Sequence, residues 1–118
     1  MPSIAIVNNE DWLRDFLARA LKAEGYAVRT YANTADALTL CEQPADLAIL
    51  DRTNPPLGGV ELFRRLRCHT TMPVVFLSAW AIEIEESLRG TGHEAEGYMQ
   101  LPFCTPELLQ RVRGLIVP

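Results

Sequence analysis

The run Leu47-Ala48-Ile49-Leu50, followed at once by Asp51, constrains the fold more than any other feature of the sequence. Four consecutive apolar residues are typical of a central strand that is buried on both faces, as in parallel sheets covered by helices. In such sheets, ligands and reactive groups lie at the carboxyl ends of the strands. The pattern therefore places the Asp51 carboxylate at the edge of the sheet where a functional site would form.

The size and charge of the chain exclude several classes of protein. It has 118 residues and a formal net charge of −4, and Met1-Pro2-Ser3 leads directly into the first apolar segment. This length suits one domain, residues 1–118, whose core needs no disulfide or metal. The negative charge argues against direct binding to nucleic acid, and no apolar run reaches the roughly 18 residues of a membrane span. We therefore expect a cytoplasmic protein without a signal peptide.

The cysteines and histidines give no sign of a metal site or a disulfide framework. Cys41, Cys68 and Cys104 are odd in number, widely spaced and free of any CxxC pair, so we expect them to be buried packing thiols. His69 and His93 lack a partner at ligand spacing, which favours surface or loop positions.

Strand-like and helix-like segments alternate along the whole chain. Strands are predicted at 3–7, 26–31, 47–51, 74–78 and 98–100, and helices at 11–24, 33–42, 60–66, 82–89 and 105–115. Asn33 or Thr34 is predicted to cap the second helix and Thr105 the last. The first helix is predicted to bury one apolar face, which consists of Trp12, Phe16, Leu17, Ala20 and Leu21.

Five successive βα units predict an α/β fold, a doubly wound parallel five-stranded sheet with helices on both faces. The functional edge of that sheet would consist of residues 8–11, 51–59, 78–82 and 99–103.

Four segments at that edge resemble the receiver domains of two-component response regulators, and the resemblance covers the whole chain. The segments are 4–10, Leu50-Asp51 followed by Pro55 and Gly59, 76–79, and 97–103. The resemblance implies a flavodoxin-like (βα)5 fold and a role in signal transduction. Receivers carry an acidic pair after the first strand, a phosphoacceptor Asp after the third, a Ser or Thr after the fourth, and a Lys-Pro after the fifth.

Two of those four features are kept in this chain and two are changed. Asp51 matches the phosphoacceptor, and Ser78 matches the hydroxyl residue. The acidic pair is replaced by Asn8-Asn9, and the lysine is replaced by Leu101. The resemblance further implies that Ser78 and Tyr98 form a switch pair, because an aromatic residue at the position of Tyr98 changes rotamer with the hydroxyl residue in receivers.

These replacements weaken phosphoryl transfer for a physical reason. Transfer to a carboxylate develops negative charge that a divalent cation and an ammonium group normally offset, and Mg²⁺ is usually held by one or two carboxylates plus waters. The vestigial metal site would consist of Asn9, Asp51 and the backbone carbonyl near Thr53, and we expect it to be weak or empty. No cofactor is therefore expected. The sole lysine, Lys22, lies before Gly25 and far from the strand ends.

Several of these residues also have a structural explanation. Asn8 and Asn9 are expected to cap the first helix, while Glu10 or Asp11 could partly replace the missing acids. Leu101 is expected to act as an apolar plug over the pocket. Trp12 is expected to lie in the core or to form a local lid.

The resemblance to the winged-helix transcription regulators implies a homodimer. Receivers of that subfamily dimerise through the fourth helix, the fifth strand and the fifth helix. Glu107, Arg111 and Arg113 match the half of the interface that lies on the last helix. The complementary Lys and Asp positions hold Ser87, Glu96 and Gly97 instead, so the ion pairs of that dimer are not all available.

The sequence thus predicts an atypical receiver that acts through protein–protein contacts on an output domain, which lies outside these residues, or on a separate partner. The alternative is a conventional receiver that a sensor histidine kinase phosphorylates on Asp51 to control transcription. An enzyme of the haloacid dehalogenase type is not expected, because Thr53 stands where that motif needs a second Asp, and because Asp51 follows the third strand rather than the first.

Overall fold

A computed structural model describes residues 1–51 and 56–116. Its strands are β1 (Ser3–Val7), β2 (Ala27–Tyr31), β3 (Leu47–Leu50), β4 (Val74–Ser78) and β5 (Gly97–Gln100). Its α-helices are α1 (Asp11–Ala23), α2 (Thr34–Ala37), α3 (Gly59–His69), α4 (Ala81–Leu88) and α5 (Thr105–Leu115), and a 3₁₀ helix at Leu38–Cys41 continues α2. The predicted order of elements is confirmed, and the boundaries differ mostly by one or two residues.

The strands form a single parallel sheet in the order β2-β1-β3-β4-β5. The apolar run that contains Leu50 is the central strand, with β1 on one side and β4 on the other. Val7 pairs with Leu50, and Leu50 pairs with Phe76, so these three strands end at nearly the same level. The predicted doubly wound α/β fold is confirmed, and its carboxyl edge gathers residues that are distant in sequence.

Helices cover both faces of the sheet and divide the core in two. Helices α2, α3 and α4 enclose one cluster, which includes Leu50, Leu62, Phe63, Leu66 and Phe76. Helices α1 and α5 enclose the other, which includes Ile4, Ile6, Leu17, Ile49 and Leu108. Every residue of β3 and β4 is buried, as expected for central strands that are packed on both faces.

The buried face of α1 differs from the predicted one. Leu17 and Leu21 are buried as predicted, but they are joined by Leu13 and Ala18. Trp12 is 69% exposed and Phe16 is 44% exposed. The prediction that both lie in the core is wrong, because α1 turns the Leu13 side of the helix toward the sheet.

Three further details correct the sequence analysis. Cys41 is half-buried, but Cys68 and Cys104 are exposed, so two of the three expected packing thiols face solvent. The residue that caps α5 is Cys104 rather than Thr105, and Thr105 is already helical. The second helix is not one α-helix up to residue 42, because it tightens into the 3₁₀ helix after Ala37; Asn33 does cap it, accepting a bond from the Asp36 N–H (2.8 Å).

No helix among the described residues is both long enough and apolar enough to cross a membrane.

Candidate functional site

Asn8, Asp51 and Ser78 come together at the carboxyl edge of the sheet. They stand at the ends of the neighbouring strands β1, β3 and β4, and all three are buried, with exposures of 3%, 8% and 0%. Buried polar groups at strand ends must find partners within the site. The prediction that these residues share one site is consistent with this topology.

The Asn8 side chain is already engaged with the backbone. The side-chain Oδ1 of Asn8 accepts a hydrogen bond from the Glu10 N–H (2.8 Å), while the Asn8 backbone N–H donates to the Tyr31 carbonyl (3.0 Å). Helix α1 begins after Glu10, whose side chain makes no capping bond. Asn8 therefore shapes the turn before the helix rather than capping it as predicted, and its amide oxygen is turned toward the backbone.

The acidic residues at the start of α1 do not replace the missing pair. The Asp11 side chain is 86% exposed and pairs with Arg14, and Glu10 is exposed. The Arg14 guanidinium also donates to the Asn8 carbonyl (2.7 Å), so it ties the start of α1 to the end of β1. Arg14 was missed by the sequence analysis, since only the fold brings its side chain to the end of β1.

Ser78 holds the turn between β4 and α4. Its Oγ accepts a hydrogen bond from the Trp80 N–H (3.1 Å), and its carbonyl accepts one from the Leu101 N–H (3.1 Å). Ser78 thereby connects the end of β4 to the chain that leaves β5. A rearrangement of its hydroxyl would break the bond from the N–H of Trp80, the residue that precedes α4.

Leu101 lies on the α1 side of the sheet. It packs against the cluster beneath α1 and α5, and its peptide bond to Pro102 is cis. Leu101, Pro102, Phe103 and the exposed Trp12 line an open hollow of about 390 Å³. The position that carries a lysine in receivers thus contributes apolar surface here, and Trp12 is part of that surface rather than of the core.

Tyr98 is half-buried, with its ring stacked on Phe76 at a centroid distance of 6.1 Å. Its hydroxyl accepts a hydrogen bond from the Ala95 N–H (2.9 Å). Burial raises the pKa of the Tyr98 hydroxyl above its usual value, the Ala95 N–H opposes that shift, and Glu85, Glu94 and Glu96 add to it. The neutral phenol is therefore the form that the fold favours.

The predicted interface residues of the last helix, Glu107, Arg111 and Arg113, are all exposed. Glu96, at one of the complementary positions, is held within its own chain. Its carboxylate forms an ion pair with Arg67 (2.5 Å) and accepts a bond from the Val74 N–H (2.7 Å). Arg67 also lies over the Phe63 ring, 4.8 Å from its centroid. No sequence pattern predicts this cluster, because Arg67 and Glu96 are far apart along the chain.

The described part of the magnesium site that the resemblance implies is poor in carboxylates. Of the predicted ligands, Asp51 is a carboxylate and Asn9 is an exposed amide, while Thr53 lies outside the described residues. The neighbouring Asn8 oxygen is already occupied by the Glu10 N–H. Within residues 1–51 and 56–116, no three His, Cys, Asp or Glu side chains are grouped where they could hold a metal ion.

A buried carboxylate at the end of a central parallel strand, with a buried hydroxyl on the next strand, lies where doubly wound α/β domains carry their functional sites. Comparison with known proteins identifies the family. Residues 4–113 match the response regulator receiver domain, and the chain belongs to that family, the receiver domains of two-component systems.

Individual relatives agree with this assignment. The chain is 38% identical over 120 residues to the phosphate regulon transcriptional regulatory protein PhoB of Rhizobium meliloti, covering 98% of this chain and 52% of that protein. It is 31% identical to the sensory transduction protein RegX3 of Mycolicibacterium smegmatis, covering 98% of this chain and 51% of that protein. The chain thus spans about half the length of these relatives. The non-phosphorylated HemR receiver domain of Leptospira biflexa superposes with a TM-score of 0.88 at 28% identity, covering 100% of this chain and 96% of that one.

Proposed function

We propose that this chain is an atypical receiver domain that signals through protein contacts, with Mg²⁺-dependent phosphorylation of Asp51 impaired or lost. It would act in the cytoplasm on an output domain or a separate protein partner, without binding nucleic acid itself. The transcriptional regulators among its relatives support an output of the winged-helix type. No catalytic turnover is part of this function.

The proposal rests on two replacements at positions that receivers use for phosphoryl transfer. Asn8 places an amide where receivers carry an acid, and its oxygen is bonded to the Glu10 N–H. Leu101 places an apolar side chain, packed beneath α1 and α5, where receivers carry a lysine. The first replacement removes charge that would bind the metal, and the second removes the ammonium that would offset charge on the transferred phosphoryl group.

The second element of the proposal is self-association through the face of α5. Glu107, Arg111 and Arg113 are exposed on that helix and available to a second molecule. Such a homodimer would allow the domain to control an output without a covalent signal, because the concentration of the protein would then set its state.

The experiment that tests the loss of phosphorylation is intact-mass spectrometry after incubation with acetyl phosphate and Mg²⁺. We expect no appreciable phosphoryl adduct on the wild type. The triple variant Asn8→Asp/Asn9→Asp/Leu101→Lys restores the receiver residues at the replaced positions and is compared with the wild type. Asp51→Asn, which lacks the phosphoacceptor carboxylate, gives the background signal of the assay.

A stoichiometric adduct on the wild type that maps to Asp51 and disappears in Asp51→Asn would contradict the proposal. It would support the alternative, a conventional receiver that a sensor histidine kinase phosphorylates on Asp51 to control transcription. The retained Asp51 and buried Ser78 are the observations that favour this alternative.

A further inference from the structure

An aromatic and apolar surface lies where α1 meets the segment that follows β5. Its first part is the hollow of about 390 Å³ that is lined by Trp12, Leu101, Pro102 and Phe103. Its second part is another open hollow, of about 420 Å³, that is lined by Trp12, Phe16, Arg19 and Ala20. Trp12 lines both hollows, and we call the surface formed by these seven residues the Trp12 surface.

The aromatic rings of the Trp12 surface are grouped, although they face solvent. Phe16 of the second hollow meets Phe103 of the first edge to face, with 6.1 Å between the ring centroids. Trp12 is 69% exposed, so most of its side chain is open to a molecule from outside. Exposed apolar surface that is contiguous, rather than scattered as single side chains, marks binding sites on soluble proteins.

The apolar character of the first hollow depends on one of the replaced positions. Leu101 forms part of its wall at the position where receivers carry a lysine. The side chain packs against the cluster beneath α1 and α5, and the Leu101 N–H donates to the Ser78 carbonyl (3.1 Å). The wall is therefore held in place and is connected to the end of β4.

Arg19 is the only charged residue that lines either hollow within the described ranges. It is exposed and forms no ion pair with any other residue that the structure describes. Arg14 of the same helix, by contrast, is bound to Asp11 and to the Asn8 carbonyl. The Arg19 guanidinium is therefore available to an anion that does not belong to the chain.

We propose that the Trp12 surface binds one small molecule that has a flat apolar body and one acidic group. The body stacks on the Trp12 ring, and the acidic group pairs with Arg19. Each hollow falls within the range of about 300–1,000 Å³ that is usual for small-molecule sites, which are mostly apolar with a few polar groups. An acid is favoured over a cation, because the Arg19 guanidinium attracts the first and repels the second.

Such a molecule would give the domain an input that needs no covalent step. Because the Leu101 N–H is bonded to the Ser78 carbonyl, a molecule that touches Leu101 contacts a segment attached to the end of β4. The inference goes beyond the proposed function and depends neither on the loss of phosphorylation nor on self-association.

The test uses two fluorescent probes that share one aromatic body. The first, 8-anilinonaphthalene-1-sulfonate, carries an acidic group, and the second, N-phenyl-1-naphthylamine, is the same ring system without the sulfonate. Fluorescence titration should show that each probe binds the wild type saturably at one site. Trp12→Ala should raise the dissociation constant of both probes by at least about tenfold, because the stacking surface is lost. Trp12→Phe, which keeps a ring, should recover most of the affinity.

The charged group is tested by the difference between the probes. Arg19→Ala should raise the dissociation constant of the sulfonate probe by about threefold, as expected for an exposed ion pair, and should leave that of the neutral probe unchanged. Leu101→Lys should weaken the neutral probe by about tenfold, because it places an ammonium group in the apolar wall.

Matched controls exist for both side chains. Trp80 is also exposed but lines neither hollow, and Lys22 is an exposed cation of α1 that lines neither hollow. Trp80→Ala and Lys22→Ala should leave both dissociation constants unchanged. Thermal unfolding of each variant, followed by circular dichroism, shows that it is folded.

A wild-type chain that fails to bind either probe saturably would overturn the inference and would leave the Trp12 surface to a protein partner. Equal effects of Trp12→Ala and Trp80→Ala, or an Arg19→Ala variant that loses no selectivity for the sulfonate, would overturn it as well. None of these results changes the amount of phosphoryl adduct on Asp51, so the proposed function is judged separately by the mass-spectrometric experiment.

Discussion

Replacing Asn8 by Asp would place a second carboxylate beside Asp51 while hardly changing the size of the side chain. The two residues follow the paired positions Val7 and Leu50 on adjacent strands, and both are buried. Neighbouring strands lie about 4.8 Å apart. At a separation of about 5 Å and an effective dielectric constant of about 20, two like unit charges repel by about 3 kcal/mol.

We therefore expect Asn8→Asp to lower the free energy of unfolding by about 2–3 kcal/mol at pH 7 in the absence of metal. A carboxylate oxygen can keep the bond from the Glu10 N–H, so repulsion is the main contribution. Urea denaturation at pH 7, followed by circular dichroism, measures this loss.

Asn9→Asp is the matched control, because it makes the same chemical change at an exposed position next in sequence. Its effect should stay within about 0.5 kcal/mol. In the double variant Asn8→Asp/Asn9→Asp, millimolar Mg²⁺ should recover stability by mass action, since the metal binds the folded state. Equal effects of the two single substitutions, or a double variant that is insensitive to Mg²⁺, would refute the reasoning that the amides relieve like-charge repulsion at this edge.

Two further predictions follow from the ionisable groups. Tyr98→Phe should cost about 1 kcal/mol at neutral pH through loss of the bond from the Ala95 N–H. Because the folded state raises the pKa of the Tyr98 hydroxyl above its usual value of about 10, the folded wild type binds its phenolic proton more tightly than the unfolded chain does. The free energy of unfolding of the wild type should therefore fall as the pH rises above about 10. Denaturation curves of Tyr98→Phe, measured in parallel, should lack this loss. Iodoacetamide should modify exposed Cys68 before half-buried Cys41, because burial raises the pKa of the Cys41 thiol. Time-resolved peptide mass spectrometry measures the order of labelling. Faster labelling of Cys41 would contradict the prediction.

The sequence was sufficient to predict the sheet and the position of Asp51, because apolar runs and turn residues mark each strand. It was not sufficient to orient α1. Trp12, Phe16 and Ala20 follow the same helical spacing as Leu13, Leu17 and Leu21, and periodicity alone cannot decide how far the helix is rotated. Only packing against β1 and α5 separates the buried side from the exposed one.

The contacts within the site depend on the fold in the same way. The types of residue at Asn8 and Leu101 could be read from the sequence, and they indicated the loss of charge. The backbone path between β1 and α1 determines where the Asn8 amide oxygen points. The same path allows the Arg14 guanidinium to reach the Asn8 carbonyl. The Arg67–Glu96 pair joins α3 to the loop before β5, a contact that no local pattern predicts.

The Ala95 N–H donates a hydrogen bond to the Tyr98 hydroxyl. The protection of this one amide proton from exchange therefore depends on the rotamer of the Tyr98 ring. An outward rotation of the ring would break this bond and leave the amide to solvent. Hydrogen exchange at the Ala95 amide should therefore become faster when the outward ring is more populated, without a phosphoryl donor or a bound partner. If the covalent signal is lost, as we propose, that one amide would record whether the rotamer equilibrium still responds to what the domain contacts.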